Sequence, residues 1–179
     1  MDVAVEDWQE QRMATDPMRI RSLVSAHHSR IWALLRRLGV PVASLDDAAQ
    51  QVFIVASRKL DGIEPERERQ YLQGIAVRVA SDQRRSDRRR EARVLPAEPG
   101  PPAPDELLDR ARARAVLDEV LDAMPFDLRV PFVLFELDEL TIPRIASILE
   151  VPEGTASSRL RRAREEFRRL AAERKEAMK

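Results

Sequence analysis

Residues 152–164 read Pro-Glu-Gly-Thr-Ala-Ser-Ser-Arg-Leu-Arg-Arg-Ala-Arg: a turn, a hydroxyl at a helix start, then a helix with a basic exposed face. Pro152 and Gly154 punctuate the chain, and Thr155 is placed to cap the helix that follows. Leu160, Ala163 and Phe167 recur at i, i+3 and i+7, so one face is apolar. Arg159, Arg161, Arg162 and Arg164 take most of the remaining surface, with Ser157 and Ser158 near its start. Upstream, Thr141–Leu149 predicts a shorter helix whose buried stripe is Ile142, Ile145, Ala146 and Leu149. Two helices across the short turn Glu150–Gly154 make a helix-turn-helix, a motif whose second helix enters a DNA major groove. The rival reading is an ordinary helical hairpin with a solvated basic face. Turn, cap, spacing and charge together disfavour it.

Charge is distributed in the way such a motif needs. The 179 residues carry a formal net charge of zero, with 31 bases against 31 acids, which by itself argues against a nucleic-acid binder. The local balance differs. Residues 105–153 hold 12 acids and 5 bases, whereas 154–179 hold 9 bases and 4 acids. A third patch, 84–93, carries six arginines against Asp87 and Glu91. Such segregation allows local phosphate binding and leaves acidic surface for another partner. Aromatics are only 4% of the chain, which disfavours β-sandwiches and barrels. With no cysteine there are no disulfides and no thiolate metal sites, in keeping with a reducing compartment. The absence of a long apolar run and the acidic start (Asp2, Glu6, Asp7) predict a soluble, cytoplasmic protein.

One boundary is evident. Pro96, Pro99, Pro101, Pro102 and Pro104 crowd one stretch and block helix, so 91–104 reads as a Pro-rich linker. The expectation is therefore all-α: two small helical domains, 17–90 and 105–174, the second containing the helix-turn-helix. In the first, helices are predicted over Met18–Leu38, Leu45–Leu60 (with Ser44 as cap) and about Gln70–Arg90, the last following a charged loop, 61–69. The second of these buries Ala49, Val52, Phe53, Ala56 and Leu60 and presents Asp46, Asp47, Gln50 and Gln51 outward. The third buries Leu72, Ile75, Ala76, Val79 and Gln83, while Arg78, Asp82, Arg85 and Arg89 follow another stripe. In the second domain, 105–124 and 126–137 are helical, with Pro131 tolerable only near the start of its helix. So small a core predicts marginal stability for that domain alone.

No catalytic constellation emerges. His27 and His28 are adjacent, hence about 100° apart on a helix, and cannot form an i, i+4 metal pair. There is no glycine-rich phosphate loop and no nucleophile elbow. Asp46 and Asp47 start a helix, where the macrodipole already accounts for them. The reading is of a non-enzyme with no metal and no cofactor.

At this point the residues resemble a known family. Asp46-Asp-Ala-Ala-Gln-Gln-Val-Phe53, followed by Ala56 through Asp61, resembles the polymerase-clamp-docking helix of bacterial sigma-70 family factors. Tyr71-Leu-Gln-Gly-Ile-Ala-Val-Arg-Val-Ala80 is similar to the promoter-melting helix, and Leu137 through Arg164 to the region that reads the −35 element. With only two modules and a short linker, the chain is most similar to extracytoplasmic-function (ECF) sigma factors. It departs from the family pattern in four places. Tyr71 stands where Trp is frequent, Gln51 where an acid is common, Glu139 where Gly is usual, and Ser157 where a base is frequent.

The resemblance implies a dissociable specificity subunit, with core RNA polymerase and promoter DNA as partners and an anti-sigma factor as a further candidate. It implies polymerase binding by Asp46, Asp47, Gln50 and Gln51. It implies −10 contacts from Tyr71, Arg78, Asp82 and Arg85. At −35, Ser157, Ser158, Arg161 and Arg162 would reach base edges, and Thr155, Arg159 and Arg164 would hold phosphates. Two other classes stay open: a helix-turn-helix transcriptional regulator that does not bind core polymerase, and a sigma-like protein-interaction module that has lost promoter opening.

Overall fold

The computed structural model describes residues 16–90 and 105–177, with side chains over 16–85 and 113–176; the predicted linker, 91–104, lies outside them. The described residues form seven helices and no strand. Helix α1 spans Pro17–Arg37 and α2 Leu45–Ser57. After a 3₁₀ turn at Leu60–Gly62, α3 runs from Pro65 to Arg90. The second half contains α4 (Asp105–Ala123), α5 (Phe126–Phe132), α6 (Ile142–Leu149) and α7 (Glu153–Ala177).

Local chemistry sets the boundaries. The Asp16 carboxylate accepts from the Met18 amide at 2.9 Å and caps α1, with Pro17 in the first turn where a missing N–H costs nothing. At the other end Gly39 adopts φ +89, and the Val40 amide reaches back to the Leu35 carbonyl at 3.1 Å, a Schellman closure. Ser44 occupies the N-cap position of α2 but makes no side-chain capping bond.

Three boundaries differ from expectation. Helix α3 starts at Pro65 rather than near Gln70, because proline at a first helical position is pre-organised for the helix. Tyr71 therefore sits two turns inside α3, not at the edge of a loop. Thr155 does not cap α7: the helix starts at Glu153, and the Thr155 and Ala156 amides bond to the Pro152 carbonyl at 2.9 and 3.0 Å. Pro152, with its ring-fixed φ and its carbonyl accepting those two amides, begins the helix two residues earlier. Finally, α5 does not continue regularly to Leu137. Pro131 is its sixth residue and has no N–H for the Asp127 carbonyl, and Val133–Leu137 continues as a π-turn.

The predicted stripes face the core, although Ile142 and Leu149 of α6 are only half-buried. Ala49, Val52, Phe53, Ala56 and Leu60 of the α2 region lie inside, as do Leu72, Ile75, Ala76 and Val79 of α3. Gln83 is only half-buried. Ile145, Ala146, Leu160 and Ala163 form the seam between α6 and α7, with Phe167 stacked on Phe132 at 4.6 Å between ring centroids. The core does not divide at the linker. Leu34, Leu38 and Val77 belong to the same apolar cluster as Leu121, Met124 and Leu128. The second half thus gains burial from the first, which offsets the small core expected of it alone.

Candidate nucleic-acid and partner interfaces

On α7 the buried residues Ala156, Leu160 and Ala163 define the inner face. At about 100° per residue, Ser158, Arg161 and Arg162 point to the opposite side. All three are exposed, and so is Ser157 on one flank, which it shares with Arg164. Thr155 and Arg159 occupy the other flank, both half-buried. The sequence-predicted base-reading and phosphate-holding groups thus divide into an outward ridge and its two margins, the exception being Ser157 on the margin.

Several of these groups already have partners. The Ser158 hydroxyl donates to the Thr155 carbonyl at 2.9 Å, which leaves its oxygen able to accept. Arg161 pairs with Glu165 at 2.9 Å. Arg164 donates from Nε to Glu136 at 2.6 Å and lies over the Phe135 ring, 5.0 Å from its centroid.

The turn before α7 is built on an unusual residue. Glu150 closes α6 in the left-handed conformation, φ 55, and Glu139 before α6 has φ 59. A side chain there costs about 1 kcal/mol or more relative to glycine. Glu139 thus keeps the backbone that a glycine would adopt freely.

Along α3, Tyr71, Arg78, Asp82 and Arg85 recur at i, i+7, i+11 and i+14 and form one stripe about 21 Å long. Arg78, Asp82 and Arg85 are exposed, whereas Tyr71 is half-buried against the core. Arg78 reaches Glu150 at 3.0 Å.

On α2, Asp46, Asp47, Gln50 and Gln51 are all exposed. The Trp32 indole donates to Asp46 at 3.0 Å and ties that carboxylate to α1. Beside this face runs a shallow groove of about 340 Å³, floored by Ile20, Val24 and Phe53 and rimmed by His28 and Ile54. His28 stacks on Phe53 at 6.2 Å, and Ile54 remains 49% exposed, so apolar surface adjoins the polar face.

Sequence reasoning missed two buried polar residues. Gln73, 2% exposed, sits on a further stripe of α3 with Val77, Ala80 and Arg84, which faces the second half. Val77 and Ala80 were the available signal, since a helix apolar on two sides is a central one. Arg129, also 2% exposed, is held by Asp122 Oδ1 at 3.2 Å and by the carbonyls of Asp122 (2.6 Å) and Met124 (3.3 Å). Burial lowers its pKa from the usual arginine value, and Asp122 opposes that shift. Nothing in the local sequence marks it as buried. Among the described residues no group of acids and histidines is arranged to hold a metal, and no helix is long and apolar enough to cross a membrane.

Comparison with known proteins agrees with this geometry. Residues 23–90 match the family model for sigma-70 region 2, and residues 114–167 the one for sigma-70, region 4. The chain is 30% identical over 153 residues to the ECF RNA polymerase sigma factor SigE of Mycolicibacterium smegmatis, covering 82% of this chain but 59% of that protein. It is 29% identical over 163 residues to the ECF RNA polymerase sigma-E factor of Escherichia coli K12, covering 84% and 85%. Among solved structures, CnrH in complex with the cytosolic domain of CnrY superposes with a TM-score of 0.63 at 22% identity, covering 87% of this chain and 88% of that one. RpoE in complex with the anti-sigma factor NepR from Bartonella quintana gives 0.64 at 19% identity, covering 84% and 94%. These two share the fold.

Proposed function

The chain belongs to the sigma-70 family, in its ECF branch, and on that premise we propose how its surfaces divide the work of promoter recognition. It is a sigma factor: it directs core RNA polymerase to promoters. Residues 17–90 form the polymerase-binding and −10 unit, and 105–174 the −35 unit. The observation that carries this division is the position of two separate polar faces on the two matched regions, one acidic and amide-rich on α2, one basic on α7.

Asp46, Asp47, Gln50 and Gln51 bind core polymerase, with the adjoining groove supplying apolar contact. On α7, Arg161 and Arg162 read base edges, arginine being suited to bidentate contact with guanine, and Ser157 and Ser158 sort neighbouring positions. Thr155, Arg159 and Arg164 hold phosphates and fix register. On α3, Arg78 and Arg85 hold the non-template strand, Asp82 meets an exposed base amine, and Tyr71 stacks on an unpaired base. The protein performs no catalysis of its own and acts in the cytoplasm, where core polymerase and promoters are. An anti-sigma factor is a further partner, a reading supported by the two structural neighbours, one named as an anti-sigma complex.

Run-off transcription from a linear promoter with purified core enzyme tests this reading. Aromatic stacking on an unpaired base contributes about 1–3 kcal/mol, comparable to the cost of unstacking it. Tyr71→Ala should therefore slow opening of duplex promoter by roughly tenfold or more and be largely rescued on a pre-melted −10 bubble. Because Tyr71 is half-buried, a loss of thermal stability with no bubble rescue would assign it to packing alone.

A further inference from the structure

The groove beside the polar face of α2 ends at a hydrogen bond between its two walls. The α1 wall is a row at i, i+4 spacing, Ile20, Val24 and His28, and the next member of that row is Trp32. The α2 wall begins at Asp46 and continues through Gln50 to Phe53. Where the rows meet, the Trp32 indole N–H donates to Asp46 Oδ1 at 3.0 Å, across 14 residues of sequence. Among the described residues, no such tie reaches Asp47, Gln50 or Gln51 from another helix.

This bond is poorly explained by stability. Asp46 is exposed and Trp32 only half-buried, so in the unfolded chain water offers both groups equivalent bonds. It also runs against a local alternative. Asp46 is the second residue of α2, where an acidic side chain can turn back to the unpaired amides of its own helix, and Ser44 at the N-cap makes no side-chain capping bond to them. The carboxylate is drawn toward α1 instead.

We propose that Trp32 is a positioning residue for polymerase capture, its indole N–H holding the Asp46 carboxylate in one arrangement at the end of the groove before core enzyme arrives. The proposal rests on the assignment of the α2 face to core polymerase. An untethered aspartate on a solvated helix loses side-chain freedom on binding, whereas one already held has little left to lose. The carboxylate keeps its use as an acceptor. The indole is donor-only and takes one lone pair of Oδ1, and an ionised carboxylate has about four acceptor sites. A basic or amide donor on the polymerase therefore meets an acceptor fixed in place beside the apolar floor of Val24 and Phe53.

The test is affinity of the full-length chain for core RNA polymerase, by anisotropy, in a cycle of Trp32→Phe and Asp46→Ala. Phenylalanine keeps a ring against the core and removes the N–H. Trp32→Phe should weaken binding about three- to tenfold, with a thermal midpoint within about 2 °C of wild type. In the Asp46→Ala background the same change should cost less than about twofold, because the group it positions is gone. Wild-type affinity in Trp32→Phe overturns the proposal, and so does an equal loss with and without Asp46, which a merely packing role would give. If Trp32→Phe does not fold, Trp8→Phe leaves Trp32 as the one indole of the chain, observable by NMR. Its N–H resonance should then move on Asp46→Ala, and an indifferent resonance overturns the tie. Should Asp46→Ala itself bind core enzyme like wild type, the reading of Asp46 as a polymerase contact falls and takes the positioning role with it. A loss in Asp46→Ala with none in Trp32→Phe removes the positioning role alone.

Discussion

The polar face of α2 and the basic stripes of α3 and α7 are all exposed, yet the chain treats them differently. Asp47, Gln50 and Gln51 face solvent beside an apolar groove. Arg78, Arg161 and Arg164 each meet a carboxylate within 3.0 Å. Exposed ion pairs contribute about 0–1 kcal/mol each, so a phosphate displaces them readily. On the DNA-contact roles proposed for these arginines, such pairs would lower non-specific attraction to DNA without abolishing specific contact. The difference suits a protein that meets polymerase first and DNA second.

The largest expected effect breaks the α2 side of that comparison. Asp47→Arg with Gln50→Arg places like charge against a surface complementary to an acidic face, at a cost of several kcal/mol. Affinity for core enzyme, read by fluorescence anisotropy, should fall at least a hundredfold with unchanged helical circular dichroism. Wild-type affinity in the double variant would remove this face from the interface.

Next comes the joint beneath both surfaces. Gly39→Ala forces a side chain into φ +89 and puts its Cβ 2.0 Å from the buried Arg129 Nη1. Strain and overpacking of about 1–3 kcal/mol each should together lower unfolding stability by about 2–6 kcal/mol in a denaturant titration. A loss below about 1 kcal/mol would mean that Arg129 moves aside easily.

The two arginine environments on α7 sharpen the comparison from the DNA side. Arg162→Ala should cost about 1–3 kcal/mol in promoter binding by the holoenzyme and relax preference at one −35 position. Arg164→Ala should weaken all sequences alike and flatten the salt dependence. Equal losses on every promoter variant for both would take Arg162 out of base readout.

The smallest effect concerns the left-handed turn. Glu139→Gly relieves strain and should raise stability by about 1 kcal/mol, read as a small rise in thermal midpoint. A decrease would show that the Glu139 side chain contributes more than its backbone costs.

The fold was legible where periodicity and turn chemistry agree. Leu72, Ile75 and Val79 mark one face of α3, Gly39 ends α1, and Leu160 with Ala163 marks the inner face of α7. The outward ridge Ser158, Arg161 and Arg162 follows from the same arithmetic. The start of α7 was misplaced because Thr155 resembles a cap, while Pro152 supplies the entry backbone two residues earlier. The π-turn was missed because nothing but Pro131 announces it. Inter-half contacts are the least legible: Gln73 and Asp138 find each other across the halves, and the buried Arg129 lies against Gly39 of the first half. These placements depend on how two helical units meet across a linker, which no local pattern encodes.

The central claim is that promoter recognition belongs to the complex with core enzyme and not to the free chain. The direct measurement is binding of a labelled linear duplex carrying both elements, at physiological salt, by the chain alone and by the chain with core polymerase. The account predicts weak, sequence-indifferent binding by the chain alone, and tight, sequence-specific binding that proceeds to initiation when core enzyme is present. Tight specific binding by the chain alone, with nothing added by core enzyme, would contradict it and would identify a helix-turn-helix regulator instead.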